Sequence, residues 1–300
     1  MTCKSMLDEA GILILGLGMM GGSLAAALKH HGYSGVIRGC DQQEDDIALG
    51  QQMGIIDGGG TDPFALLDGI SMIVLCVPVM AIAPWVIKLA PVVRARNIIV
   101  TDVGSSKGAV RDAVVAALGE MPAWLVLGHP IAGSEHSGVA AADPKRYVAN
   151  KVILTPESDT PSAFTARVAS LWQAAGAEVV TMSVRRHDDV LARTSHLPHL
   201  LAFSLVDTLA HQDERFDIFR YAAGGFRDFT RIAGSDPVMW RDIFLSNRSA
   251  VLDALDDFEA GLAQLREAID ESDADALHTI FVRASRARQH FQTLLDKTTS

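Results

Sequence analysis

Residues 11–32, GILILGLGMMGGSLAAALKHHG, decide the fold of the N-terminal half. The apolar run Ile12 to Leu15 is long enough for a buried strand, and glycines follow it at once. The next stretch, Ser23 to His30, has the composition of a helix, and Gly32 stands where such a helix ends. The segment therefore predicts a strand, a tight turn and a helix, in that order.

The turn carries the glycine pattern G-x-G-x-x-G at Gly16, Gly18 and Gly21. In such a turn the first glycine permits the tight bend, the second lets backbone approach a pyrophosphate, and the third lets the helix pack on the strand. A second apolar run, Val36 to Cys40, ends in Asp41, where a carboxylate accepts hydrogen bonds from ribose hydroxyls. Because an acid repels a 2′-phosphate, the spacing predicts NAD rather than NADP. The alternative for Asp41 is a solvated acid at a strand end.

Further strand-like segments alternate with helical ones, at residues 72–77, 98–101, 125–127, 152–154 and 178–182. This alternation predicts a mostly parallel sheet with helices on both faces, and ligands bind beyond the carboxyl ends of such strands. Three loops lie there, at residues 77–79, 102–107 and 128–135. We expect the cofactor to contact the glycine turn, the end of the second strand and the first of these loops, at Gly16, Leu17, Gly18, Met19, Met20, Gly21, Asp41, Val77 and Pro78.

Strand signals largely stop after Met182. Helices are predicted at residues 186–209, 212–222, 236–265 and 274–297, with Gly224, Gly225 and Gly234 as breaks. The sequence therefore predicts an α/β protein with two domains. A Rossmann-type dinucleotide-binding domain spans residues 8–183, and an all-helical domain spans residues 184–300.

Composition excludes several classes of protein. The 300 residues carry a formal charge of -10, which disfavours a nucleic-acid partner. Two long uncharged stretches, residues 11–28 and 69–87, are interrupted by glycines and prolines, so we expect no membrane span. The cysteines Cys3, Cys40 and Cys76 are odd in number and widely spaced, which indicates free thiols and a cytoplasmic location.

Histidines supply the candidate chemistry. His129 follows an apolar run and lies between Gly128 and Pro130, which puts a proton-transfer group at the carboxyl end of a strand, although isolated histidines are commonly structural. His196 and His199 could share one helical face. Because no third ligand and no H-E-x-x-H pattern accompanies them, we expect pocket lining and no metal.

Two arginines, Arg227 and Arg231, are spaced to lie on one side of a helix. Either could form a surface ion pair. In an acidic protein, however, a planar guanidinium beside glycines is suited to clamp a carboxylate.

Five motifs together resemble one family. They are GLGMMGGSLA at residues 16–25, DVGSSK at 102–107, GHPIAGSE at 128–135, SHLPH at 195–199, and the stretch 225–241 that contains FTRIA, SDP and MWR. In this order they resemble the prephenate/arogenate (cyclohexadienyl) dehydrogenase family of tyrosine biosynthesis. The resemblance spans nearly the whole chain, whereas a general dinucleotide-binding enzyme would share only the first motif.

The resemblance implies NAD-dependent oxidative decarboxylation of prephenate to 4-hydroxyphenylpyruvate, of arogenate to tyrosine, or of both. It implies that His129 is the catalytic base for the ring hydroxyl, and that Ser105, rather than its neighbour Ser106, bridges that hydroxyl, His129 and the cofactor. It implies a carboxylate-binding role for Arg231. The other implied substrate contacts are Ser195, His199, Glu135 near the site entrance and Trp240, an aromatic that reaches toward a partner subunit. The helical half matches the family's dimerisation domain, which implies a homodimer.

Two other functions remain open from the residues. A 3-hydroxyacid dehydrogenase would place a catalytic lysine on the first interdomain helix, where this chain has His187 and the stretch 195–199. A non-catalytic NAD-binding regulator could lack both His129 and Arg231, and both are present. The residues give no preference between prephenate and arogenate.

Overall fold

The computed structural model describes residues 11–133 and 136–298. The chain divides into two compact units, residues 1–248 and residues 249–300. The strands are β1 (Gly11–Leu15), β2 (Ile37–Cys40), β3 (Gly58–Gly60), β4 (Ile70–Leu75), β5 (Ile99–Asp102), β6 (Leu125–Val126), β7 (Gly128–Pro130), β8 (Lys151–Leu154) and β9 (Glu178–Thr181). The helices are α1 (Met19–His30), α2 (Glu44–Gln52), α3 (Val79–Arg96), α4 (Gly108–Leu118), α5 (Ser162–Ala174), α6 (Val184–Leu191), α7 (Leu197–Phe216), α8 (Gly224–Thr230), α9 (Pro237–Ser246), α10 (Arg248–Asp270) and α11 (Ala274–Thr298).

Six parallel strands form the main sheet, in the order β3-β2-β1-β4-β5-β6. This confirms the predicted strand, turn and helix at residues 11–32 and the dinucleotide-binding type of fold. The chain passes from β1 to β2 on one side and reaches β4 on the other. Ligands of such sheets bind where the strand order reverses, so the carboxyl end of β1 is the place for a cofactor.

Alternate side chains of each strand point to opposite faces of the sheet, and helices cover both faces. Ile12 and Ile14 pack with residues of α1 and α5, whereas Leu13 and Leu15 pack with residues of α3 and α4. All of β1 is buried. The apolar run that predicted this strand is therefore continuous rather than alternating.

Strands β7, β8 and β9 form a second, three-stranded sheet, so the single sheet predicted from the sequence is wrong for this segment. Strand β7 runs antiparallel to β8, and β8 runs parallel to β9. The chain changes sheets at Leu127, whose carbonyl accepts a hydrogen bond from the Thr155 N–H at 2.9 Å. His129 therefore lies within a strand, not in the loop that was expected.

The helical half departs from the predicted boundaries at three places. The helix predicted over 212–222 is wrong, because α7 ends at Phe216, Asp217 takes a left-handed conformation (φ 51°) and a 3₁₀ turn follows at Ile218–Tyr221. The predicted break at Gly224 and Gly225 is instead the start of α8. The single helix predicted over 236–265 is divided at Asn247, which lies between α9 and α10.

The unit formed by residues 249–300 consists of α11 and nearly all of α10. Both helices carry exposed apolar side chains, among them Phe258, Leu262, Ile269 and Phe281. Within the described residues, no helix combines the length and the apolar character that crossing a bilayer requires.

Candidate active site

The three glycines of the turn have three different surroundings. Gly16 has a φ of +98°, and a Cβ there would lie 2.3 Å from the carbonyl oxygen of Cys76. A Cβ on Gly21 would lie 2.0 Å from the carbonyl oxygen of Gly16, so α1 could not pack as it does. A Cβ on Gly18 would meet nothing within 4 Å. The turn and packing roles are therefore met at Gly16 and Gly21, while Gly18 borders open space, as the approach of a pyrophosphate requires.

Asp41 lies at the end of β2 and contacts the same turn. Its Oδ2 accepts the Leu17 N–H at 2.7 Å, and its Oδ1 accepts the Gln43 N–H at 3.0 Å. Each carboxylate oxygen keeps a further lone pair, so the group can also accept ribose hydroxyls. The side chain of Leu17 is fully buried, so only its backbone can meet a ligand.

The other expected cofactor contacts surround the same strand end. Met19 and Met20 begin α1 and are half-buried. Val77, half-buried, and Pro78, exposed, follow Cys76, whose carbonyl faces Gly16. The turn, Asp41 and the loop after β4 thus meet at the carboxyl end of β1, an arrangement that fits a dinucleotide.

A buried ion pair fixes the strand that carries His129. Lys107 and Asp102 are both fully buried and bonded to each other. Lys107 Nζ also donates to the carbonyl oxygen of Gly128 at 2.7 Å, and Asp102 Oδ1 accepts the Gly128 N–H at 3.1 Å. These two residues, which we call the clamp, hold β7 against the loop after β5. Sequence reasoning assigned them no role, although two opposite charges five residues apart, directly after an apolar strand, are a recognisable signal.

Ser105 and Ser106 lie in that loop and differ in their surroundings. The hydroxyl of Ser106 is buried and donates to Ser246 Oγ at 2.8 Å. Ser105 is half-buried. Of the two adjacent serines, Ser105 is therefore the one whose side chain is open to a ligand.

His129 is half-buried and contacts a second histidine. Its Nδ1 lies 2.9 Å from His187 Nε2, and His187 Nδ1 lies 2.7 Å from Asp188 Oδ1. Burial, with the nearby His187 and Lys107, holds the pKa of His129 well below its usual value. The imidazole is therefore neutral at pH 7, the state in which it can accept a proton. His187 and Asp188 were missed as site residues.

Ser195, His196 and His199 lie around a π turn at Ala192–His196. Proline at 198 lacks an N–H and its ring crowds the carbonyl four residues earlier, which accounts for the widened turn. His199 Nδ1 lies 2.9 Å from the carbonyl oxygen of Ser195, and because a carbonyl only accepts, this nitrogen must carry the proton. His196 is buried, and its Nδ1 lies 3.2 Å from the side-chain nitrogen of Asn247.

Trp240 is 6% exposed and stacks on His199, with 3.6 Å between ring centroids and 20° between planes. Its Nε1 has no hydrogen-bond partner among the described residues. The ring packs against His199 of its own chain, and its reach toward a partner subunit stays a prediction.

The two arginines have different neighbours. Arg231 begins a 3₁₀ turn and is exposed, and its charge adds to burial in lowering the pKa of His199, which places it near that ring. Arg227 is exposed on α8 with its Nε 3.8 Å from Asp228.

Glu135, the remaining expected contact, lies outside the described residues. Within the described chain, no group of three His, Cys, Asp or Glu residues could hold a metal ion.

Comparisons with known proteins identify the family. The family model described as "Prephenate dehydrogenase, nucleotide-binding domain" matches residues 24–181, and "Prephenate dehydrogenase, dimerization domain" matches residues 183–283. A cyclohexadienyl dehydrogenase of Zymomonas mobilis is 35% identical over 94% of this chain and 96% of its own length.

Two solved structures agree with these matches. Prephenate dehydrogenase of Aquifex aeolicus, solved with hydroxyphenyl propionate and NAD⁺, has a TM-score of 0.87 and 39% identity over 94% of this chain and 98% of its own. Arogenate dehydrogenase of Synechocystis has a TM-score of 0.78 and 28% identity over 94% of this chain and 99% of its own. The chain belongs to the prephenate dehydrogenase family.

Proposed function

We propose that this protein catalyses the NAD-dependent oxidative decarboxylation of prephenate, arogenate or both, in tyrosine biosynthesis. The observation that carries the proposal is the neutral His129, held by the clamp beside the loop of Ser105. The glycine turn, open at Gly18, fits the cofactor that the reaction needs. The relatives named prephenate, cyclohexadienyl and arogenate dehydrogenase support the same activity.

The reaction needs a base at the ring hydroxyl. NAD⁺, when bound, supplies the acceptor for the hydride that leaves ring C4. His129 takes the hydroxyl proton at Nε2 as the carbonyl forms, and Ser105 holds that hydroxyl by a hydrogen bond. The ring carboxylate then departs as carbon dioxide, its bonding electrons make the ring aromatic, and the oxygen recovers the proton from His129. Protons therefore balance over the cycle, and His129 returns to its neutral state.

We propose that the substrate binds along the π turn. Arg231 supplies a guanidinium for a substrate carboxylate, a strong charge-assisted contact. Ser195 and His199 contribute polar contacts, and Trp240 fixes the His199 ring by stacking on it. Glu135 is assigned to the site entrance on the resemblance alone.

Cofactor choice follows from the charges around Asp41. The carboxylate at the end of β2 is followed by Glu44, Asp45 and Asp46 in the first turn of α2. A 2′-phosphate beside these four acids would be repelled, whereas ribose hydroxyls can donate to Asp41. We therefore propose NAD over NADP.

We propose a homodimer assembled through a helical domain of residues 184–300, with a nucleotide-binding domain of residues 8–183. The match of residues 183–283 to a dimerisation domain supports the assembly. The exposed apolar side chains of α10 and α11 provide surface that a second copy can cover.

The free thiols of Cys40 and Cys76 fit the cytoplasm, a reducing compartment.

The direct test is steady-state kinetics with prephenate and with arogenate, each with NAD and with NADP. We expect NADH absorbance and carbon dioxide to appear in equal amounts with at least one substrate. NADH formation without carbon dioxide, or no turnover of either substrate, would contradict the proposed function.

A further inference from the structure

Behind His129 lies a row of three hydrogen-bonded side chains, which we call the relay: His129, His187 and Asp188. The first bond joins His129 Nδ1 to His187 Nε2 at 2.9 Å, and the second joins His187 Nδ1 to Asp188 Oδ1 at 2.7 Å. His187 is fully buried and Asp188 is 8% exposed. The bonds connect β7 to α6, so the row depends on tertiary packing.

Asp188 determines where the protons of this row reside. Its Oδ1 accepts the Lys107 N–H at 2.9 Å and its Oδ2 accepts the Gly108 N–H at 2.7 Å. A Cβ on Gly108 would lie 2.7 Å from Asp188 Oδ2, so this glycine admits the carboxylate. Burial alone would raise the pKa of Asp188, but the bonds from His187, Lys107 and Gly108 outweigh it and keep the pKa low. The carboxylate is thus an acceptor on both oxygens.

The positions of the ring protons of His187 and His129 follow because each hydrogen bond needs one donor and one acceptor. Since the ionised Asp188 only accepts, His187 Nδ1 must donate, which leaves His187 Nε2 as a lone pair. That lone pair accepts from His129 Nδ1–H, and His129 Nε2 is then left unprotonated. This is the nitrogen that a general base needs.

We propose that His187 and Asp188 are positioning residues that hold His129 in its Nδ1–H tautomer and stabilise the imidazolium formed when Nε2 takes the substrate proton. The inference rests on the proposed function. A buried carboxylate can orient a catalytic histidine by accepting a hydrogen bond from its ring. Here the Asp188 carboxylate does so through a second imidazole, that of His187. The other ionisable groups around the row are Asp102, Lys107 and His196.

Kinetics of three variants test the proposal. Removing the acceptor with His187→Leu should lower kcat about 10²- to 10³-fold and leave KM for substrate within about threefold, because the wrong tautomer cannot take a proton. His187→Gln should recover part of that loss, since its Oε1 can still accept from His129 Nδ1–H. Asp188→Asn should lower kcat and move the acid limb of the pH profile to lower pH, because the imidazolium loses its anion.

The control is Asp189→Asn, the same change one residue along. Asp189 is 45% exposed and pairs with Arg185 at 3.8 Å, so its removal should leave kcat and the pH profile unchanged. Asp188 also anchors the start of α4, so its replacement could disturb folding. The unfolding midpoint and the NAD affinity of each variant are therefore measured, because they change with a folding defect and not with the loss of the base. Wild-type kcat and pH profile in folded His187→Leu would overturn the relay while leaving the proposed function intact.

A readout that needs no turnover tests the relay directly. Nitrogen-15 NMR of the substrate-free protein should show His129 protonated at Nδ1 in the wild type and predominantly at Nε2 in His187→Leu. This measurement does not depend on turnover of prephenate or arogenate. The relay and the proposed function can therefore be disproved independently of each other. A wild-type His129 protonated at Nε2 would overturn the relay.

Discussion

Replacing Lys107 by methionine should destabilise the protein severely, because Lys107 is half of the clamp. The change leaves Asp102, fully buried, as an anion whose partners among the described residues are the Gly104 and Gly128 N–H groups. Breaking one side of a buried ion pair costs about 3–5 kcal/mol, against a total of about 5–15 kcal/mol for a native domain. Since Lys107 also holds the carbonyl of Gly128, next to His129, kcat should fall as well.

The assay is urea unfolding of single and double variants at pH 7. Asp102→Asn placed in the Lys107→Met background removes the unpaired charge and keeps an acceptor, so it should recover about 1–3 kcal/mol. Lys151→Met is the control: Lys151 pairs with Glu178 at 3.6 Å on the surface and should cost less than about 1 kcal/mol. Equal losses for Lys107→Met and Lys151→Met, or strict additivity in the double variant, would refute the role of the clamp.

Three further predictions concern cofactor, substrate and acid stability. The wild type should favour NAD over NADP more than about tenfold in kcat/KM, and Asp41→Asn should narrow that ratio; equal wild-type efficiencies would contradict this. Arg231→Ala should raise the substrate KM about ten- to a hundredfold, with partial rescue by lysine, while Arg227→Ala changes little; equal shifts would disprove the assignment. Burial lowers the pKa of His196 to about 4. As the pH falls below 6.5, His196 is therefore protonated in the unfolded chain while it is still neutral in the folded protein. Acidification from pH 7 to 4.5 should therefore cost about 2 kcal/mol of unfolding free energy that His196→Gln retains, and identical losses in both proteins would argue against it.

The parts of the fold that could be predicted from sequence are those set by neighbouring residues. The turn at Gly16, Gly18 and Gly21 is local, and Gly16 and Gly21 show the close backbone contacts that their predicted roles require. The end of β2 could be placed because one helix and one short strand separate Asp41 from that turn. Family motifs added Ser105, whose half-buried side chain contrasts with the bonded Ser106.

The missed parts depend on contacts between distant residues. Asp102 and Lys107 are five residues apart, but the strand that they hold begins 26 residues after Asp102, and His187 lies 58 residues from His129. A local window therefore shows the two charges of the clamp but neither the strand they hold nor the relay. On α6, His187 and Asp188 share the buried face with Val184 and Leu191, so two polar residues at core positions were the signal that sequence reasoning overlooked. The change of sheets at Leu127 was missed for the same reason, because it depends on pairing with Thr155.

The turnover of His129→Asn with NAD at saturating substrate shows whether His129 is the base. We expect kcat to fall about 10²- to 10⁴-fold with little change in KM, whereas the exposed His211→Asn stays at wild type. Wild-type kcat should fall as pH drops through the lowered pKa of His129, below 6.5, and the variant should lack this limb. A His129→Asn enzyme with near-normal kcat and an unchanged acid limb would contradict the assignment.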